Sequence, residues 1–226
     1  MGINKEPGYS VQNTVAGRRA EELFPTYSEH DKEIIHKVIE EVNSKGYHIQ
    51  YLFQLSWMDK DDFELINPVI MKYSLQFENK RTRYGLFSYL GVNGNTDGVD
   101  FLLEQFRKPN DYNENLDWNF SRRGVCSAAL FVIKDKSKID EYIEIIENEN
   151  TRQDSYFFIL LLGELKFVKA ISLLVELLNE DNSNLQSAAI QSLTKFKRKI
   201  DLNPIISPFL SSDNDIISEY AKKALM

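Results

Sequence analysis

The chain has 226 residues, a formal net charge of −7 and a pI near 5.1, a balance that excludes strong non-specific nucleic-acid binding, which needs clustered cations against phosphate. A hydrophobic fraction of 42%, with 14 Phe and 11 Tyr, supplies a core, and 10 Gly with 6 Pro are too few for a turn-dense β-sandwich or a low-complexity chain. A lone Cys126 excludes an intrachain disulfide, the amino terminus shows no apolar signal region, and the longest purely apolar run (157–162) is too short to span a bilayer, so a cytoplasmic protein without a membrane span is expected.

Residues 1–28 hold Gly2, Pro7, Gly8, Gly17 and Pro25 among polar residues and read as an irregular N-terminal arm, with room for one short helix at 17–23. The first clear helix, about 31–44, carries Ile34, Ile35, Val38, Ile39 and Val42 at helical spacing, is capped by Ser28 or Asp31, and is followed by Gly46. A second apolar stretch, 47–57, ends in Ser56-Trp57-Met58, and Asp59 with the acids after it suits a helix N-terminus. Pro68 starts a new helix or kinks an existing one, with Val69, Ile70, Tyr73 and Phe77 facing inward over 68–78.

From there the pattern falls into pairs of helices: 81–91 with 96–107, 120–133 with 136–147, 152–163 with 166–179, and 183–197 with 202–210, closed by a helix at 214–225. Asp181, Ser183 and Asp213 are candidate caps. The segment 108–119 is a polar and aromatic insertion. Offsetting the chain by 72 residues lays Leu90-Gly91 on Leu162-Gly163, Val99 on Ile171, Leu102 on Leu174, Leu103 on Val175 and Phe106 on Leu178 without a gap. Between these copies, Ser127-Ala128-Ala129-Leu130 leads to Ile139, Ile143 and Ile146 at the spacing that takes Ser155 to Phe167, Ile171 and Leu174, and another copy begins at Ser187-Ala188-Ala189-Ile190. Self-similarity of helix pairs with a period of about 28–45 residues is the mark of an α-solenoid, each unit burying the flank its neighbour exposes.

This unit, an apolar helix, Leu-Gly or its equivalent, a short turn, a second apolar helix and a polar loop rich in Asp and Asn, resembles the HEAT-repeat family. The resemblance is good over 120–226, fair over 81–107 and weak before 80. It implies an all-α fold: a right-handed α-solenoid of about five to six helical hairpins over 29–226, clearest over 81–226, behind the irregular arm. It also implies a scaffold whose second helices line a concave surface. One HEAT-like group repairs alkylated DNA, so a glycosylase acting on alkylated bases is the alternative function.

Asn93, Asn95, Asp97, Gly98 and Glu104 stand at the spacing of a calcium loop, whose hard cation wants oxygen ligands. Against this, Asn93 replaces the usual Asp, and Asn, Gly and Asp are ordinary residues for the turn before a second helix. His30, His36 and His48 form no metal-binding spacing, and Cys126 among Val125, Ala128 and Ala129 reads as a buried, inert thiol. No catalytic residue, metal or cofactor is expected.

Trp118 with Arg122 and Arg123 would suit a protein hot spot or a clamp on a damaged base; an anchor for the insertion is the plainer reading. Arg81, Arg83, Arg122 and Arg152 lie near the starts of first helices, where cations oppose the dipole, which suggests that they pair with acids of the neighbouring repeat or contact something else. On the second helices, Asp100, Glu104, Glu141, Glu144 and Glu176 fall on polar faces, with Asp140 and Glu147 beside them. Such faces are either solvated surface or an acidic strip that attracts a basic protein. The expected binding residues are therefore Asp100, Glu104, Trp118, Arg122, Arg123, Glu141, Glu144 and Glu176. The expected function is non-catalytic: a scaffold, or an inhibitor or immunity-type protein that binds a basic protein partner.

Overall fold

The computed structural model describes residues 26–109 and 121–226. Most of the expected arm, the short helix at 17–23, and 110–119 of the expected insertion lie outside the described residues. Within them the structure is helical, with no strand, and no helix is long and apolar enough to cross a membrane. They form two compact units, one up to Ile133 and one from Lys134.

The first unit begins with α1 (Glu29–Ser44), whose cap is Ser28: its hydroxyl accepts the Asp31 N–H at 3.1 Å. Ile34, Ile35, Val38 and Val42 form the buried stripe. Asp31 is not the cap. It is buried and accepts the backbone N–H groups of Glu78 (2.8 Å) and Asn79 (3.0 Å), which ties the loop after α2 to the start of α1. The stretch 47–57 is irregular and ends in a 3-10 helix, Leu52–Trp57. Asp59 then caps the turn Lys60–Asp62, and the Asp62 carboxylate accepts the Asp59 N–H in return. This turn feeds α2 (Phe63–Ser74), which starts five residues before Pro68 and carries that proline inside it on the exposed side. α3 (Lys80–Tyr89), α4 (Val99–Arg107) and α5 (Arg122–Ile133) complete the unit. α1 packs on α2, α2 on α3, and both α3 and α4 on α5.

The second unit contains α6 (Ile139–Glu147), the single turn α7 (Glu149–Arg152), α8 (Tyr156–Glu164), α9 (Ile171–Glu176), α10 (Ser183–Thr194), α11 (Asn203–Ile206) and α12 (Asp215–Leu225). α6 packs on α8, α8 on α10, and α10 on α12. The expected helix at 152–163 is broken at 153–155. Asn148 caps α7, and the Ser155 hydroxyl returns to the Arg152 carbonyl before α8 begins. The caps of α10 and α12 are Asn182 and Asn214, each accepting two backbone N–H groups, rather than the neighbouring Asp181, Ser183 and Asp213.

Three helix pairs share one local geometry. A residue in the left-handed region lies in each connection between the two helices: Gly94 (φ 83°), Lys134 (φ 59°) and Lys166 (φ 52°). Two residues later a 3-10 turn begins, at Thr96, Lys136 and Val168, and the second helix follows at Val99, Ile139 and Ile171. These positions recur at intervals of 40 and 32 residues. Leu102, Tyr142 and Leu174 are thereby equivalent and fully buried, as are Phe106, Ile146 and Leu178 at 0–3% exposure. The middle copy is thus one helical turn away from the expected register. Ile139 and Ile143, expected to face inward, are only half-buried, and Tyr142 takes the core position.

The Leu-Gly element has a steric reason. A Cβ on Gly163 would lie 2.7 Å from the Ser192 Cα, and one on Gly91 would lie 2.9 Å from the Ala129 Cα. α8 therefore meets α10, and the end of α3 meets α5, backbone to backbone. The Ser192 hydroxyl adds a hydrogen bond of 2.8 Å to the Ile159 carbonyl.

Candidate functional site

Three arginines near first-helix starts hold carbonyls of the segment before their own helix. Arg83 Nε donates to the Phe77 carbonyl, Arg123 Nε to the Phe106 carbonyl and Arg152 Nε to the Ile146 carbonyl, each at 3.0 Å. In the next copies Gln186 Nε2 reaches the Leu178 carbonyl at 3.0 Å and Ser218 Oγ the Leu210 carbonyl at 2.9 Å. The acceptors Phe106, Ile146, Leu178 and Leu210 stand 40, 32 and 32 residues apart. Carbonyls at a helix C-terminus lack intrahelical donors, and a guanidinium there meets the negative end of the dipole. The cation that opposes its own helix thus answers the preceding one. Arg152 also pairs with Glu180 at 2.8 Å.

This fixes the place of the expected arginines. Arg123 is 6% exposed, donates a second bond to the Lys108 carbonyl at 3.3 Å and lies over the Phe106 ring at 5.5 Å. Arg122 is half-buried and donates to the Pro109 carbonyl. Both guanidiniums thus hold backbone carbonyls. Trp118 lies outside the described residues.

The acids behave differently. Asp100 and Glu104 are exposed one turn apart on α4, and Glu104 pairs with Lys108 at 3.1 Å. Glu144 on α6 and Glu176 on α9 are exposed. Glu104, Glu144 and Glu176 occupy one repeat position, two residues before the capped carbonyls of Phe106, Ile146 and Leu178. Asp140, equivalent to Asp100, is also exposed. Glu141 is half-buried and turned to Lys138 at 2.9 Å, so it stands apart from that position.

The calcium-loop spacing at 93–104 is put to another use. Asn95 is fully buried; its side-chain oxygen accepts from Asn67 at 2.7 Å and its nitrogen donates to the Leu90 carbonyl at 2.9 Å. Gly98 is packed beneath Leu90. Two of the loop's key positions are therefore committed to the core, and among the described residues no three His, Cys, Asp or Glu side chains gather as metal ligands. His30 meets the Gln76 carbonyl at 3.0 Å. Cys126 is buried, which pushes its thiol well above the usual range. Tyr47 is pushed up too, by burial and then by the neighbouring Asp62.

Two surface features were missed in the sequence. Tyr51, Phe53 and Trp57 form a half-buried ring row, with centroids 5.8 and 5.7 Å apart. The run Lys195-Phe196-Lys197-Arg198-Lys199 leaves α10 with its four cations exposed; the run itself was legible as a charge cluster.

No protein-family model matches the chain, and no curated protein matches it.

Proposed function

We propose that the chain is a non-catalytic α-solenoid of HEAT-like helix pairs that binds a basic protein through the acidic faces of its second helices. The observation that carries this is the recurrence of Glu104, Glu144 and Glu176 at one exposed repeat position. The core side of the same helices is filled by Leu102, Tyr142 and Leu174. A net charge of −7 supplies the long-range attraction that speeds encounter with a cationic partner. One concrete form is an inhibitor or immunity-type protein that covers a basic enzyme; a regulatory adaptor uses the same chemistry. Arg122 and Arg123, on which a DNA-repair reading would draw, donate to backbone carbonyls, which supports the protein-binding reading over it.

The test compares the native chain with E104K/E144K/E176K as bait in the cell it comes from, at low and high salt. A partner of basic pI should be retained by the native bait at low salt, released at high salt, and lost with the variant at unchanged melting temperature. Equal recovery by both baits would place the interface elsewhere.

A further inference from the structure

The carboxy-terminal ends of α10 and α12 border an open groove of about 800 Å3. Ile200, Leu202, Tyr220, Ala224 and Leu225 are among the apolar residues that line it. Lys195, Lys197 and Lys223 line it as well, and the exposed Arg198, Lys199 and Lys222 adjoin them in the chain. The turn that presents these cations is held by its own backbone. Lys199 and Ile200 both donate to the Phe196 carbonyl, at 2.7 and 3.2 Å, and the Phe196 ring is buried beneath.

The charge exceeds what the helices call for. Two C-terminal dipoles together attract about one unit of positive charge. Here six cations stand against three acids, Glu164, Asp201 and Glu219, leaving a side-chain charge of +3 in a chain whose total is −7. A phosphodiester strand would match the lysines, but it has no aliphatic side chain to set against the apolar lining residues. An acidic peptide with apolar side chains satisfies both parts.

We propose that this groove binds an acidic amphipathic segment of a partner protein, its apolar side chains against the apolar lining residues and its carboxylates at the lysines. The site is independent of the acidic second-helix faces. A chain carrying both can bridge a basic partner and an acidic one.

The experiment is fluorescence anisotropy on the full chain, with a labelled amphipathic peptide of Glu and Leu as probe. A Gln-for-Glu version of that peptide and a single-stranded oligothymidylate serve as comparisons. The Glu peptide should bind with an affinity that falls as salt rises, and K197E/R198E/K199E should weaken it about tenfold or more, the range in which rim charges steer association. These side chains are exposed, and a melting curve checks that the variant is folded; the milder K197Q/R198Q/K199Q should give an intermediate loss. Absence of binding by the Glu peptide, equal binding of the Glu and Gln peptides, or unchanged affinity in the folded variants would overturn the proposal. So would tighter binding of the oligothymidylate, which would reassign the groove to phosphates.

Discussion

Gly163→Ala is the most informative single change, because two opposing effects can be weighed from the structure. Inside a helix, Ala is favoured over Gly by about 1 kcal/mol. At Gly163 the added Cβ lies 2.7 Å from the Ser192 Cα, 2.8 Å from its Cβ and 2.9 Å from its Oγ, where ordinary contact begins at 3.4 Å. Much of that obstruction is backbone, so no rotamer change relieves it, and α8 and α10 must separate. Overpacking of this kind costs about 1–3 kcal/mol. Steric cost therefore outweighs propensity, leaving a net loss of up to about 2 kcal/mol and a fall in melting temperature of about 2–4 °C per kcal/mol for a chain of this size. Gly85 lies in α3 with nothing within 4 Å of its added Cβ. Gly85→Ala should therefore raise stability by about 0.5–1 kcal/mol. Thermal denaturation of the two variants side by side decides the matter. If both raise the melting temperature, the backbone approach of α8 to α10 is not present in solution and the reasoning fails.

Arg152→Met should cost about 1–3 kcal/mol in chemical denaturation, since it leaves the Ile146 and Glu147 carbonyls and the Glu180 carboxylate without their guanidinium; a loss no larger than that of an exposed Lys136→Met would show that the cap contributes nothing. Lys195 first, and then Lys134, hold the Glu164 carboxyl below the usual carboxylate range against the opposing effect of burial. Its folded-state pKa is depressed, so its contribution is present above the unfolded value of about 4.3 and disappears as pH falls through the folded one. Glu164→Gln should thus lower stability near neutrality, by at most about 1 kcal/mol for so exposed a pair, and make no difference well below the folded-state value; a difference that persists there would refute the ion-pair origin. Cys126, buried and with its thiol pushed up, should resist iodoacetamide in the native chain and react once denaturant is added.

The helical class and the helix pairs were legible because apolar residues recur at 3.6-residue spacing and Leu-Gly recurs at an offset of 72. The register of the middle copy was not. A shift of four residues keeps an apolar stripe nearly in line, so Ile139, Ile143 and Ile146 fit the template as well as Tyr142 and Ile146 do. Only the left-handed residue at Lys134 and the turn after it fix the true alignment. The caps were misassigned because Asp181, Asn182 and Ser183 all have capping chemistry, and backbone geometry rather than composition selects Asn182. Arg123 shows a different limit. Its partner carbonyl lies 17 residues earlier, across the insertion, and no local pattern announces such a contact. Asn95 matched a calcium-loop position for the same reason it suits the core: an amide both donates and accepts, and Asn67 supplies the reciprocal group 28 residues away. The exposure of Asp100, Glu104, Glu144 and Glu176 was readable because it follows helical phase, whereas Glu141 is half-buried beside Lys138.

Hydrogen exchange of the chain with and without its captured partner tests the binding surface most directly. Added protection should fall on the helices that bear Asp100 and Glu104, Asp140 and Glu144, and Glu176. It should weaken as salt rises, and the E104K/E144K/E176K variant should show none of it. Protection confined to α1 and α2, or protection on the second helices that salt leaves untouched, would contradict a charge-guided second-helix interface.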